Sequence, residues 1–231
     1  MQSKRRSGVR RRDLSVLGVV LAALGLASSS SANAATCFGH QATIAGTNRS
    51  DYILGTGDRD VIYTGRGDDD VLGKGGADLI CTGTGMDRVK GGPGRDRVNV
   101  GPGHDAAFGG LQADFLAGYA GRDDLRGGAN ADHMRGGDDV DNLRGDAGGK
   151  GPEAGDRLSG GEGDDFLYGE GGVDHLSGGT GDDQAWGNLG NDFLFGDPGD
   201  DFLSGGGGTD ECHGDGGTDT AGTCETLFEV P

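Results

Sequence analysis

The chain has 231 residues, 20 Lys and Arg against 38 Asp and Glu, a formal net charge of −18, and 53 glycines. Its electrostatics favour cations and exclude direct binding to nucleic acid or to an anionic membrane surface. Few large aliphatics combined with high net charge is the composition of a disordered chain, so any fold has to be specified by pattern rather than by bulk hydrophobicity.

Residues 1–34 have the layout of a secretory signal peptide. Lys4, Arg5, Arg6, Arg10, Arg11 and Arg12 form a basic head, and Leu14 to Leu26 is an apolar run too short to span a bilayer as a mature helix. Ala32-Asn33-Ala34 supplies an A-x-A cleavage site. Arg11-Arg12-Asp13-Leu14 resembles a twin-arginine signal, so either bacterial route, Sec or Tat, fits. The expected location is therefore secreted, extracellular. The segment holds six of the 20 basic residues and one of the 38 acidic ones, leaving 14 and 37 in residues 35–231, a net −23. Residues 35–45 carry no repeat and are expected to form an N-terminal cap, with Ala42-Thr43-Ile44 as a short strand.

From Asp51 onward the chain is counted in nines. Asp51, Asp60, Asp69, Asp78, Asp87, Asp96, Asp105, Asp114, Asp123, Asp132 and Asp141 follow one another without a miss, in eleven nonads over residues 46–144. Residues 145–150 are read as an insertion. Residues 151–222 then hold nonads twelve to nineteen, with Asp156, Asp165, Asp174, Asp183, Asp192, Asp201, Asp210 and Asp219 in register. Residues 223–231 form a C-terminal cap. The unit is Gly-Gly-x-Gly-x-Asp-x-U-x with U apolar, complete in Gly91–Asn99 and Gly160–Tyr168. Its glycines mark a turn that needs positive φ and close backbone approach, and x-U-x makes a three-residue strand with one inward side chain. Two nonads give turn, strand, turn, strand: one 18-residue coil of a flattened solenoid, repeated nine to ten times.

Four cysteines in an exported chain suggest two disulfides. Of the three connectivities, the local one is expected, Cys37–Cys81 and Cys212–Cys224, one pair closing each end.

A core one side chain wide, carrying aspartates that stack one coil apart, is short of attraction and rich in like-charge repulsion. A divalent cation between adjacent turns removes the repulsion. Calcium accepts six to eight oxygen ligands in flexible geometry, which glycine-rich turns offer as carbonyls and aspartates as carboxylates. Magnesium resists such a dehydrated cage. Zinc would want Cys or His, and His40, His104, His133, His175 and His213 show no ligand spacing. The unit resembles the RTX (hemolysin-type) nonapeptide of calcium-dependent secreted proteins. That resemblance implies an all-β parallel β-roll with multiple Ca2+ ions, each held by the position-six aspartate together with the loop one coil away. Carried over, the expected metal ligands are Asp69, Asp78, Asp87, Asp96, Asp105, Asp123, Asp165, Asp174, Asp183, Asp192, Asp201, Asp210 and Asp219. Position four departs from glycine at Arg49, Asp58, Gln112, Asn130, Asp139 and Ala154. The first two nonads and those of Asp114, Asp132, Asp141 and Asp156 are therefore left out of the set. The insertion is expected to interrupt one ion row.

The chain has no H-E-x-x-H and no G-x-S-x-G, and no stretch outside repeats and caps could hold a catalytic domain. The expected function is a non-enzymatic, secreted calcium-binding roll that folds on binding its ions. The alternative is a calcium-stiffened adhesion or matrix module with a cell-surface, glycan or protein partner. For it, Phe166, Tyr168, Trp186 and Phe202 would form an exposed aromatic face, with Phe193 and Phe195 opposite. The competing reading of these rings is cross-strand packing that stiffens the sheet. Arg66-Gly67-Asp68 and Arg144-Gly145-Asp146 are chance products of a Gly- and Asp-rich repeat.

Overall fold

The computed structural model describes residues 18–20, 35–146 and 155–228. Apart from Gly18–Val20, the expected signal peptide lies outside the described residues, as do residues 147–150 of the insertion and residues 229–231. All regular structure among the described residues is β-strand.

Successive nonads alternate between two sheets, as an 18-residue coil requires. One eleven-stranded sheet runs from Gly18–Val20 and Asp51–Leu54 through Arg88–Pro93, Asn142–Asp146 and Phe166–Gly171 to Thr220–Ala221. The other, also eleven-stranded, runs from Ile44–Ala45 through Arg97–Asn99, His133–Asp138 and Arg157–Glu162 to Thr226–Phe228. Every neighbour within these sheets is parallel, giving a parallel β-roll of about ten coils. Register advances by 18, as in Val98↔Leu116. Across the insertion it advances by 24, as in Met134↔Leu158 and Leu143↔Leu167. The inward side chains on either side of the insertion thus keep to the same face, which a one-residue slip would have reversed. Asp146 pairs with Gly128 at the second position of the nonad. The nonad of Asp156 therefore opens at Gly145, and the extra residues follow Asp146.

The core is a single file of U side chains contributed alternately by the two sheets. Ile53, Ile62, Val71, Ile80, Leu116, Leu125, Met134, Leu143, Leu158, Leu167, Leu176, Leu194 and Leu203 are all essentially buried. Each contributes about 1.5–3 kcal/mol on burial. The flanking positions point out and form ladders. Tyr168 and Trp186 stack with centroids 4.7 Å apart and planes 3° apart, and Phe202 closes on Trp186 at 5.7 Å. Tyr168 and Trp186 turn their flat faces to one another, as cross-strand packing has it, while Phe202 is tilted 52° against Trp186. Phe193 and Phe195 lie on the opposite sheet, stacked on His175 and His213.

At the N-terminal end, Thr36–Cys37 and His40–Gln41 form a small antiparallel hairpin, and the strand foreseen at residues 42–44 settles at Ile44–Ala45. Cys37 bonds to Cys81, and Cys212 to Cys224, as expected. The loops closed span 44 and 12 residues. In the chain-entropy picture they are worth about 4 and about 3 kcal/mol. Replacing Cys37 and Cys81 together by Ser should therefore lower the guanidinium midpoint more than replacing Cys212 and Cys224, measured with calcium present throughout.

Candidate metal centre

The aspartates are not at the rim of the turns, where a surface ion site would put them. Every ladder aspartate from Asp51 to Asp210 is at most 5% exposed. They form two buried columns, one along each edge of the U file. Each column is held by a repeated bond in which the backbone N–H of one aspartate donates to Oδ1 of the aspartate one coil later. One row runs Asp51, Asp69, Asp87, Asp105, Asp123, Asp141, Asp165, Asp183, Asp201, Asp219, at 2.7–3.0 Å per step. The other runs Asp60, Asp78, Asp96, Asp114, Asp132, Asp156, Asp174, Asp192, Asp210, at 2.7–2.9 Å. It ends where Asp210 N–H donates to Glu225 Oε2 at 2.7 Å. Both rows cross the insertion, through Asp132–Asp156 and Asp141–Asp165. The expected interruption is therefore absent from the hydrogen-bonded framework, because the strands on either side of the insertion keep their register.

The second carboxylate oxygen separates the nonads into two kinds. In the first two it is satisfied by the protein. Thr47 donates its N–H and hydroxyl to Asp51 Oδ2 at 2.6 and 2.9 Å, and Thr56 does the same for Asp60 at 2.6 and 3.0 Å. Farther along, Oδ2 of Asp78, Asp96, Asp105, Asp114, Asp123, Asp141, Asp165, Asp183, Asp192, Asp201 and Asp210 is buried with no hydrogen-bond partner. A buried, unsatisfied carboxylate oxygen is costly, and here it recurs in register. Asp69 and Asp87 are intermediate. Burial raises their pKa values, and the hydroxyls of Thr64 and Thr82 beside them partly offset that rise, although those hydroxyls also bond the Thr82 and Val100 carbonyls.

The first glycine of the nonad is fixed by this arrangement. A Cβ placed on Gly109 would lie 2.5 Å from Asp114 Oδ2 and 2.7 Å from the Gly127 carbonyl oxygen of the next coil. The same crowding recurs at Gly91, Gly136 and Gly187. Carboxylate and carbonyl oxygens thus converge on a cradle that only glycine leaves open. The second glycine serves conformation: Gly92 has φ of 112° and its Cβ would strike the Lys74 carbonyl.

Burial drives the carboxyl pKa values upward, and neighbouring aspartates one coil away add to the effect at several positions. Asp78, Asp96, Asp123, Asp165, Asp192 and Asp201 are pushed to about 6, Asp105, Asp114 and Asp183 to about 7, and Asp141 to about 8. A proton or a metal cation relieves the same strain.

Asp114 and Asp141, left out on sequence grounds, have the same orphan oxygen and the same raised pKa as the expected ligands. Their position-four residues, Gln112 and Asp139, hold φ of 70° and 74°. The turn therefore survives without glycine, and the tolerance of amide and acid side chains for the left-handed region was the available signal. Asp219, at the C-terminal end of its row, is partly exposed.

The donor set is carboxylate and carbonyl oxygen, the chemistry of a hard cation. Among the described residues no three His, Cys, Asp or Glu side chains converge on one point, so a metal would have to draw on backbone carbonyls as well as carboxylates. Also among the described residues, no helix is long and apolar enough to cross a membrane.

A family profile described as RTX calcium-binding nonapeptide repeat (4 copies) matches five successive segments, residues 45–80, 82–116, 117–149, 153–185 and 186–221. No curated protein matches the chain.

Proposed function

Because the chain belongs to the RTX calcium-binding nonapeptide-repeat family, we propose that it is a secreted, non-enzymatic calcium-binding β-roll that folds on binding multiple Ca2+ ions. The observation that carries this reading is the recurrence of a buried, partnerless Oδ2 in nonad after nonad, beginning where the Thr47 and Thr56 caps end. The ligands are Asp78, Asp96, Asp105, Asp123, Asp165, Asp183, Asp192, Asp201 and Asp210, joined by Asp114 and Asp141. Asp69, Asp87, Asp174 and Asp219 complete the set at weaker positions. Bound calcium neutralises carboxylates that the fold buries side by side. The chain's own residues hold each carboxylate in place through the Oδ1 bond and keep the turn open through glycine.

Two disulfides fit an oxidising compartment. Where calcium is scarce the chain stays unfolded, and where it is plentiful binding and folding become one equilibrium. A calcium titration followed by circular dichroism and calorimetry at pH 7.5 tests this. The expected result is a cooperative gain of β-signal with release of heat and several ions bound per chain. A chain equally folded in excess EDTA at that pH would sink the proposal.

A further inference from the structure

The sheet that contains Arg97–Asn99 carries a column of side chains unlike the rest of this acidic surface. Reading along the seventh position of every second nonad, five adjacent parallel strands present Phe115, His133, Arg157, His175 and Phe193 in direct register. The arrangement is symmetric about the arginine. His133 is braced on its outer side by Phe115, edge to face at 5.4 Å, and His175 by Phe193, stacked at 4.7 Å. Beside this column, two positions along the same strands, Arg135, Ser159 and Ser177 are also in register. His133, Arg157, His175, Ser159, Ser177 and Phe195 line one surface depression of about 270 Å3.

Three features make this a site rather than a solvated face. Among the described residues, neither Arg135 nor Arg157 forms an ion pair, in a chain with 38 acidic residues. No carboxylate lines the depression. Of the acids near it, Asp197 accepts the single proton of the Ser177 hydroxyl at 2.6 Å, so that hydroxyl has none left to donate, and Glu211 bonds His213 at 2.7 Å. The positive field is felt locally, since burial and the charges of Arg135 and Arg157 lower the pKa of His133. The larger depression on the opposite sheet, about 740 Å3, lacks this purity, because Asp70 and Asp124 line it and Asp124 neutralises Arg126 at 2.8 Å.

We propose that His133, Arg157 and His175, with the hydroxyl of Ser159, form a binding site for a tetrahedral oxyanion, a sulfate or phosphate group. A guanidinium presents a fork of N–H donors suited to such oxygens. An imidazole on either side and the Ser159 hydroxyl below add donors to the remaining oxygens. The phenyl braces fix the imidazoles, so little side-chain freedom is lost on binding. The site lies on the outward face of the sheet, away from the buried aspartate rows, so it works alongside the calcium reading and does not depend on it.

The test uses the calcium-loaded protein at constant ionic strength set with chloride. Inorganic sulfate is titrated while the imidazole proton resonances are followed by NMR, assigned through His133→Gln and His175→Gln. Saturable shifts confined to these two histidines are expected, with affinity falling at least tenfold in Arg157→Gln and unchanged in Arg126→Gln. Circular dichroism of Arg157→Gln in calcium reports that the roll is intact. Should that variant fail to fold, the double variant His133→Gln/His175→Gln read by calorimetry replaces it, with the same tenfold loss expected. Galactose 6-sulfate binding more tightly than inorganic sulfate would assign the site to an ester on a glycan, and equal binding to the free ion. Absence of saturable shifts, or an equal loss in Arg126→Gln, would overturn the proposal.

Discussion

In EDTA, lowering the pH from 7.5 to 4.5 is expected to restore β-sheet circular dichroism that the metal-free chain lacks at neutral pH. The sign follows from the buried carboxyls. Their folded-state pKa values are raised from 3.8 to about 6 at Asp96, about 7 at Asp183 and about 8 at Asp141, chiefly by burial. The folded chain therefore binds protons that the unfolded chain releases throughout the window from pH 4 to 8. Stability of the metal-free roll is greatest below about pH 4 and is lost as pH rises through 6 to 8. A single group shifted from 3.8 to about 6 changes stability by about 3 kcal/mol across its window. Ten such groups exceed the whole stability of an ordinary domain even if they contribute far less than additively. Calcium and protons then compete: binding of the ion at pH 7.5 should need no proton release from ionised carboxylates in the unfolded chain, whereas below pH 6 it must displace them, and affinity should fall. Metal-free spectra that are identical at pH 4.5 and 7.5 would contradict this account.

Replacing Asp96 by Asn should act with opposite signs in the presence and absence of calcium. The amide oxygen keeps the bond from the Asp78 N–H that Asp96 Oδ1 now accepts at 2.8 Å. The amide nitrogen replaces the orphan Oδ2 beside the Gly109 carbonyl and can donate where the carboxylate could only repel. In EDTA at pH 7.5 the variant should be more stable than the parent by up to about 3 kcal/mol, since a buried ionised group has been removed. With calcium it should be less stable and bind at least one ion fewer, because a ligand charge is gone. Asp96→Ala distinguishes the causes. It removes the charge but leaves the Asp78 N–H without its acceptor, so it should help less in EDTA than Asn does. Urea midpoints in both conditions give the two signs. Matching changes in both conditions would show that Asp96 is structural only.

Much of the fold was legible because the nonad states it redundantly. The spacing of Val98 and Leu116 gives the coil, and the pairing Cys212–Cys224 follows from a roll whose ends need closing. What the pattern could not show is where the carboxylate points. Aspartate in a turn looks like a surface residue, and only the stacked backbone reveals that its side chain is drawn inward by an N–H one coil away. The role of Glu225 was hidden for the same reason: it lies outside the nonad count, yet it supplies the acceptor for Asp210. The Phe115–His133–Arg157–His175–Phe193 column was invisible because its central step crosses the insertion. Counted in eighteens, Arg157 does not neighbour His133. Counted in 24, it does.

The bonds from aspartate N–H to carboxylate all point one way, from an earlier coil to a later one. A ribosome therefore delivers every donor before its acceptor. In a roll folded only part of the way, the last coil has two aspartate amides whose acceptors lie farther along the chain. That shortfall does not grow with length, so a roll of three coils and a roll of eight are equally unfinished at their C-terminal edge. On one row it is resolved when Glu225 arrives, six residues before the last. A chain truncated after Thr223 would keep nearly all its core but lose both that closure and the Cys212–Cys224 disulfide, and its last coil should be the first to exchange its amide hydrogens.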